Sequence, residues 1–67
     1  MMALQLNGAP HRLPLGSRLD QLIASLDLAQ QAIAVAVNRR IIARSLWSTH
    51  LLQDGDQVEV VRAIGGG

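Results

Sequence analysis

Only one stretch of this chain has helical periodicity. Leu19, Leu22, Ile23 and Leu26 fall at i, i+3, i+4 and i+7 and form one apolar stripe, whereas the apolar residues on either side mostly alternate with a period of two. A single amphipathic helix covers one face of a sheet and leaves the other without a helix of its own. The order of the strands around it therefore decides the fold.

Leu4 and Leu6 alternate with Gln5, Asn7-Gly8 is a tight-turn signal, and Leu13 and Leu15 resume the alternation. This predicts an N-terminal hairpin. Its second strand, roughly His11 to Leu15, belongs at a sheet edge because Pro14 has no N–H for a ladder. Ser17 followed by Asp20 resembles a capping box and predicts a helix over about Arg18 to Leu26. From Ile33 to Val37, β-branched residues alternate with Ala34 and Ala36, the pattern of a central strand with its bulky face toward the helix. Asn38-Arg39-Arg40 reads as a turn, Ile41-Ile42 as a short strand, and Trp47 sits in an irregular stretch ending near His50. Asp54-Gly55-Asp56 marks another turn, after which Val58 and Val60 open a last strand that continues through Val61 and Ile64. The expectation is an α+β roll: one domain over residues 1–64, then a glycine tail over 65–67.

At 67 residues, such a domain buries only about 60% of its unfolded surface, too little for a roomy internal active site. Trp47 is the one aromatic residue, so Leu, Ile, Val and Ala must build the core, with Trp47 as a plug that seals it. With no cysteine there is no disulfide, no thiolate nucleophile and no Cys-based metal site. His50 with Ser48, Thr49, Asp54 and Asp56 lacks the spacing of a hydrolase triad, and His11 and His50 lack a recognisable metal-ligand set. No bound cofactor or metal is expected. The longest wholly apolar run, Ala32 to Val37, is too short to span a bilayer, and no leader pattern opens the chain, so a cytoplasmic protein with no membrane partner is expected.

All six cations are Arg and none is Lys, against five carboxylates. Arg39, Arg40 and Arg44 form either a patch for an acidic partner or RNA, or simply a solvated turn. No concentrated basic stripe with interleaved aromatics is present, which argues against a nucleic-acid partner. Val61 and Ile64, just before the tail, are candidates for partner binding on the uncovered sheet face, as are Arg39 and Arg40 on their turn.

The chain closes on Gly65-Gly66-Gly67. At ordinary glycine usage, three in a row at a given place arise about three times in ten thousand. Glycine enters slots that a Cβ would block, and at about 3.3–3.6 Å per residue Ala63 to Gly67 can reach on the order of 17 Å. A terminal carboxylate is ionised at neutral pH and resists nucleophiles, so it needs activation, for instance by adenylation, before it can react. A frayed end is the plainer alternative.

These residues together resemble the bacterial thiamine-biosynthesis sulfur carriers, small β-grasp relatives of ubiquitin. The matching features are the strand ending at Asn7, the strand ending at Asn38, Ile41-Ile42, Trp47, the Asp54-Gly55-Asp56-Gln57 turn and the Gly66-Gly67 terminus. The resemblance implies that Gly67 is adenylated by an ATP-using, E1-like activating enzyme and converted to a thiocarboxylate with sulfur from a cysteine desulfurase system. Thiazole synthase then uses that sulfur. Gly65 and Gly66 would be read by the partners' channels, Gly65 standing where relatives often have Ala. The chain would be a protein co-substrate and not an enzyme, monomeric by itself. The small subunit of molybdopterin synthase, with the same terminal chemistry, is the nearest alternative. A β-grasp module that binds RNA or protein is more distant.

Overall fold

A computed structural model describes residues 1–62; Ile64, Gly65, Gly66 and Gly67 lie outside the described residues, as does the end of the expected 1–64 domain. The elements are β1 (Met2–Leu6), β2 (Ala9–Leu13), α1 (Leu19–Ser25), β3 (Ile33–Val37), β4 (Arg40–Ile41), a 3₁₀ turn at Arg44–Leu46, and β5 (Gln57–Arg62). The strands form one mixed sheet in the order β2-β1-β5-β3-β4. β1 pairs antiparallel with β2 and parallel with β5, and β3 pairs antiparallel with both β5 and β4. The first and last strands are thus neighbours. β5 takes the centre, and β3, read from sequence as central, is the interior strand beside it.

Side-chain alternation sends one row of β1, β2, β3 and β5 under α1. Met2, Leu4, Leu13, Val35, Val37 and Val58 are buried against Leu19, Leu22 and Ile23 of the helix, each of these three with no exposed surface. Burying a side chain of that size is worth about 1.5–3 kcal/mol, so the helix stripe and the sheet rows account for most of the core. Trp47 and Leu52, from the irregular stretch, close its side.

Several boundaries differ from the sequence expectation, each for a local reason. β2 spans Ala9–Leu13 and contains Pro10, not Pro14. Gln5 faces Pro10 across the pair but donates its N–H away, to the Asp56 carbonyl at 2.9 Å, so Pro10's missing donor points outward at the free edge. Pro14 ends the strand, its carbonyl accepting from both the N–H and the hydroxyl of Ser17, and Leu15 is left exposed. Ser17 is therefore occupied. The helix N-cap is Arg18, whose N–H donates to Gln21 Oε1 at 2.7 Å, the reciprocal half of a capping box displaced by one residue. At the other end of α1, Asp27 adopts φ 60°, Leu28 donates to the Ile23 carbonyl and Asp27 to that of Ala24. That is a Schellman stop with Asp where Gly is usual. β4 begins at Arg40, because Asn38 and Arg39, at φ 51° and 68°, make a two-residue hairpin turn.

Candidate functional site: the open sheet face and the root of the tail

Among the described residues, no element lies over the face turned away from α1. Pairing register puts Ala34 opposite Val61 and Ala36 opposite both Glu59 and Ile41, so these five side chains share that face. Ala34 and Ala36 are short, and the large apolar groups at the two flanks stand clear, Val61 61% and Ile41 80% exposed. The result is a smooth apolar strip with one carboxylate, that of Glu59, beside it. Sequence alternation placed Val61 here. It did not place Ile41, because a two-residue strand carries no period of its own.

β5 leads into the tail, and its backbone is held on both sides by asparagine side chains. At the entry, the Asn38 N–H donates to the Gln57 carbonyl at 2.8 Å, the Gln57 N–H donates to Asn38 Oδ1 at 3.0 Å, and Asn38 Nδ2 donates to Asp56 Oδ1 at 3.0 Å. Further along, where β1 turns away into its hairpin, the Asn7 N–H donates to the Val58 carbonyl at 2.9 Å, the Val60 N–H donates to Asn7 Oδ1 at 2.8 Å, and Asn7 Nδ2 donates to the Val60 carbonyl at 3.3 Å. Both asparagines sit at the first turn position of a two-residue hairpin with φ near 50°. Turn geometry alone would accept Asp or Gly there; only Asn supplies both a donor and an acceptor, which at Asn7 both go to β5 and at Asn38 go to the Asp56 carboxylate and the Gln57 N–H. The sequence showed the turns and not this second use.

The Asp54-Gly55-Asp56 turn fastens the entry end. Asp54 Oδ1 accepts the Ala3 N–H at 2.7 Å, Gly55 donates to the Ala3 carbonyl at 2.8 Å, and Asp56 Oδ2 accepts the Gln53 N–H at 2.9 Å. Asp54 is thus committed to backbone, and Asp56 is shared between backbone and the Asn38 amide.

The three arginines grouped in the sequence reading part company. Arg39 and Arg40 stay exposed at the β3–β4 hairpin, at the entry end of β5 and about 10–13 Å along the strand from the row of Val61. Arg44 is not part of a patch. Its guanidinium donates to the carbonyls of Ala29 and Gln31, both at 2.7 Å, and lies 4.4 Å over the Trp47 ring. Trp47 in turn is 5% exposed and donates from Nε1 to the Ile42 carbonyl at 2.9 Å, which is the plug expected of it. Among the described residues no three His, Cys, Asp or Glu side chains converge as metal ligands, and no helix is long and apolar enough to cross a membrane.

What the molecule presents is an α+β β-grasp domain whose last strand lies at the centre of its sheet and leads in sequence to the C-terminal glycines, with an open sheet face beside it. That defines the ubiquitin-like class. The ThiS family model matches residues 4–67, and the chain belongs to the ThiS family. It is 38% identical over 52 residues to the sulfur carrier protein ThiS of Escherichia coli, covering 78% of this chain and 79% of that one. It is 39% identical over 66 residues to a thiazole synthase of Magnetococcus marinus, covering 98% of this chain but 20% of that relative's length. Its fold superposes on the crystal structure of the thiamine biosynthesis protein ThiS from Geobacter metallireducens with a TM-score of 0.85 at 29% identity, over 98% of this chain and 100% of that one.

Proposed function

We propose that this chain is the sulfur carrier of thiazole formation in thiamine biosynthesis, with the Gly67 carboxylate as the group that is activated and loaded. The observation that carries the reading is that the family match runs through Gly67, so the glycine tail is part of what the family shares. An activating enzyme of the E1 type would join the carboxylate to AMP from ATP, releasing pyrophosphate. A persulfide of a cysteine desulfurase system would displace AMP to give an acyl disulfide. A thiol would cleave its S–S bond to leave a thiocarboxylate and a new disulfide, and thiazole synthase would take that sulfur. A relative in which a matching segment forms a fifth of a thiazole synthase supports that last partnership. The chain itself is carrier and co-substrate and binds no cofactor of its own. All this chemistry belongs to the cytoplasm, where ATP is available.

Gly65 and Gly66 would enter the partners' active sites, and Val61 and Ile64 beside them would meet the partners' docking surfaces. Intact-mass spectrometry tests the reading. Incubation with the activating enzyme, ATP and a sulfur donor should replace one oxygen by sulfur in the full chain and leave a chain lacking Gly67 unchanged. An unaltered wild-type mass with an enzyme active on another carrier would overturn it. Rescue of a thiazole auxotroph, and not of a molybdenum-cofactor auxotroph, is the outcome expected over the molybdopterin synthase alternative.

A further inference from the structure

We infer that Asn7, on the far hairpin, is a positioning residue for the terminal reaction because its side chain holds the C-terminal half of β5, the strand that presents the chain's last residues; this rests on the carrier reading. β1 pairs with β5 only at Gln5–Gln57 and Leu6–Val58, and then its chain turns back into β2. Beyond that point the β1 side of β5 would be bare. The Asn7 amide replaces the missing rung, accepting from the Val60 N–H and donating to the Val60 carbonyl, as a backbone peptide would. β3 holds the other side as far as Arg62.

The consequence is geometric. Val60 turns both its N–H and its carbonyl toward the β1 side, where Asn7 receives them, while the alternate residues Glu59 and Val61 turn theirs toward β3. The amide thus keeps β5 held on both sides close to the C-terminal end of the chain. Without the amide, Val60 to Arg62 are held on the β3 side only, and their place in the sheet is less fixed. A carboxylate presented from a strand that is less firmly held samples a larger volume and reaches attack geometry less often. Val61, on the open face one residue on, would shift with it. Asn7 thus acts through Val60 on a group far from itself, and touches neither the carboxylate nor the nucleotide.

Asn7→Gly is the variant that isolates this role, because Gly suits the φ of 50° and keeps the turn while deleting the amide. Asp54→Ala is its matched control. It removes a bond to Ala3 at the opposite end of β5 and destabilises without touching the tail root. Two readouts are needed: amide hydrogen exchange residue by residue, and kcat and KM for activation of the carrier by its ATP-dependent enzyme. Asn7→Gly should speed exchange selectively at Val60 to Arg62 and lower kcat on the order of tenfold, with KM within about twofold of wild type. Asp54→Ala should do neither at a temperature where both variants are folded. Wild-type kcat in Asn7→Gly overturns the inference, as does a lowered kcat without faster exchange at Val60 to Arg62, which would mean direct contact with the enzyme. An equal loss in Asp54→Ala also overturns it, as mere destabilisation. A wild-type chain that is not activated at all is a different result: it refutes the carrier reading, and the positioning role falls with it.

Discussion

At the scale of single residues, two positions take on conformational or bonding roles that their residue types do not advertise. Asp27 holds the left-handed turn that stops α1, at φ 60°, where a Cβ carries a penalty of about 1–2 kcal/mol that short polar residues only partly relieve. Asp27→Gly should therefore stabilise the protein by about 0.5–1 kcal/mol, net of the added unfolded-state entropy, and raise the thermal midpoint by a few degrees. A lower urea midpoint with an unchanged slope would contradict this. Arg44 is the other case. It reads as one of three nearby cations, yet it ties two carbonyls after the helix to the Trp47 ring. Arg44→Met should cost about 1–2 kcal/mol in chemical denaturation, because a neutral chain cannot bridge Ala29 and Gln31. Binding to partners should be unchanged once the folded fraction is accounted for. Neither role was legible: a Schellman stop without Gly carries no letter code, and a fork to backbone carbonyls leaves no spacing in the sequence.

Among the elements, those with a long uninterrupted period were legible and those set by a turn or a cap were less so. The Leu19–Leu22–Ile23–Leu26 stripe and the Ile33–Val35–Val37 alternation fixed α1 and β3 nearly to the residue, because each repeats its pattern against a single core face. The second strand slid toward its hairpin because a two-residue turn at Asn7-Gly8 obliges pairing from Ala9 onward, and Pro10 is acceptable where its nitrogen faces solvent. The helix start moved by one residue because two signals competed. Ser17 prefers the Pro14 carbonyl, and Gln21 is left to cap Arg18. Gln21→Ala should thus lower stability by about 0.5–1 kcal/mol, as the loss of a capping bond does. Equal stability of Gln21→Ala and wild type in urea would show that the Arg18 N–H is satisfied by water without cost.

Over the whole molecule, the strand order matters more than any single element. With β5 in the middle of five strands, the segment leading to the glycines is anchored by the two neighbours that hold the core together, while the uncovered face lies beside it. That the face exists was legible from the presence of one helix; its composition was legible only where a strand was long enough to alternate, so Val61 was placed and Ile41 was not. The two kinds of surface named from sequence end up apart, Val61 toward the tail and Arg39 with Arg40 at the entry of β5. An ordinary interface of about 800 Å² per partner is wide enough to include both, but they should contribute differently. Val61→Lys replaces an exposed apolar group next to Glu59 on the same face, so stability should change by less than about 1 kcal/mol. Covering Val61 with a partner is worth up to about 1.5–3 kcal/mol, so the apparent KM for the activating enzyme should rise roughly tenfold or more, at low and high salt alike. Reversing charge at Arg39 and Arg40 should act chiefly on the association rate, and the effect should fade as salt screens it. Steady-state kinetics of the two variants across a salt series separates the contributions, and a Val61→Lys chain with wild-type KM would remove the open face from the docking surface.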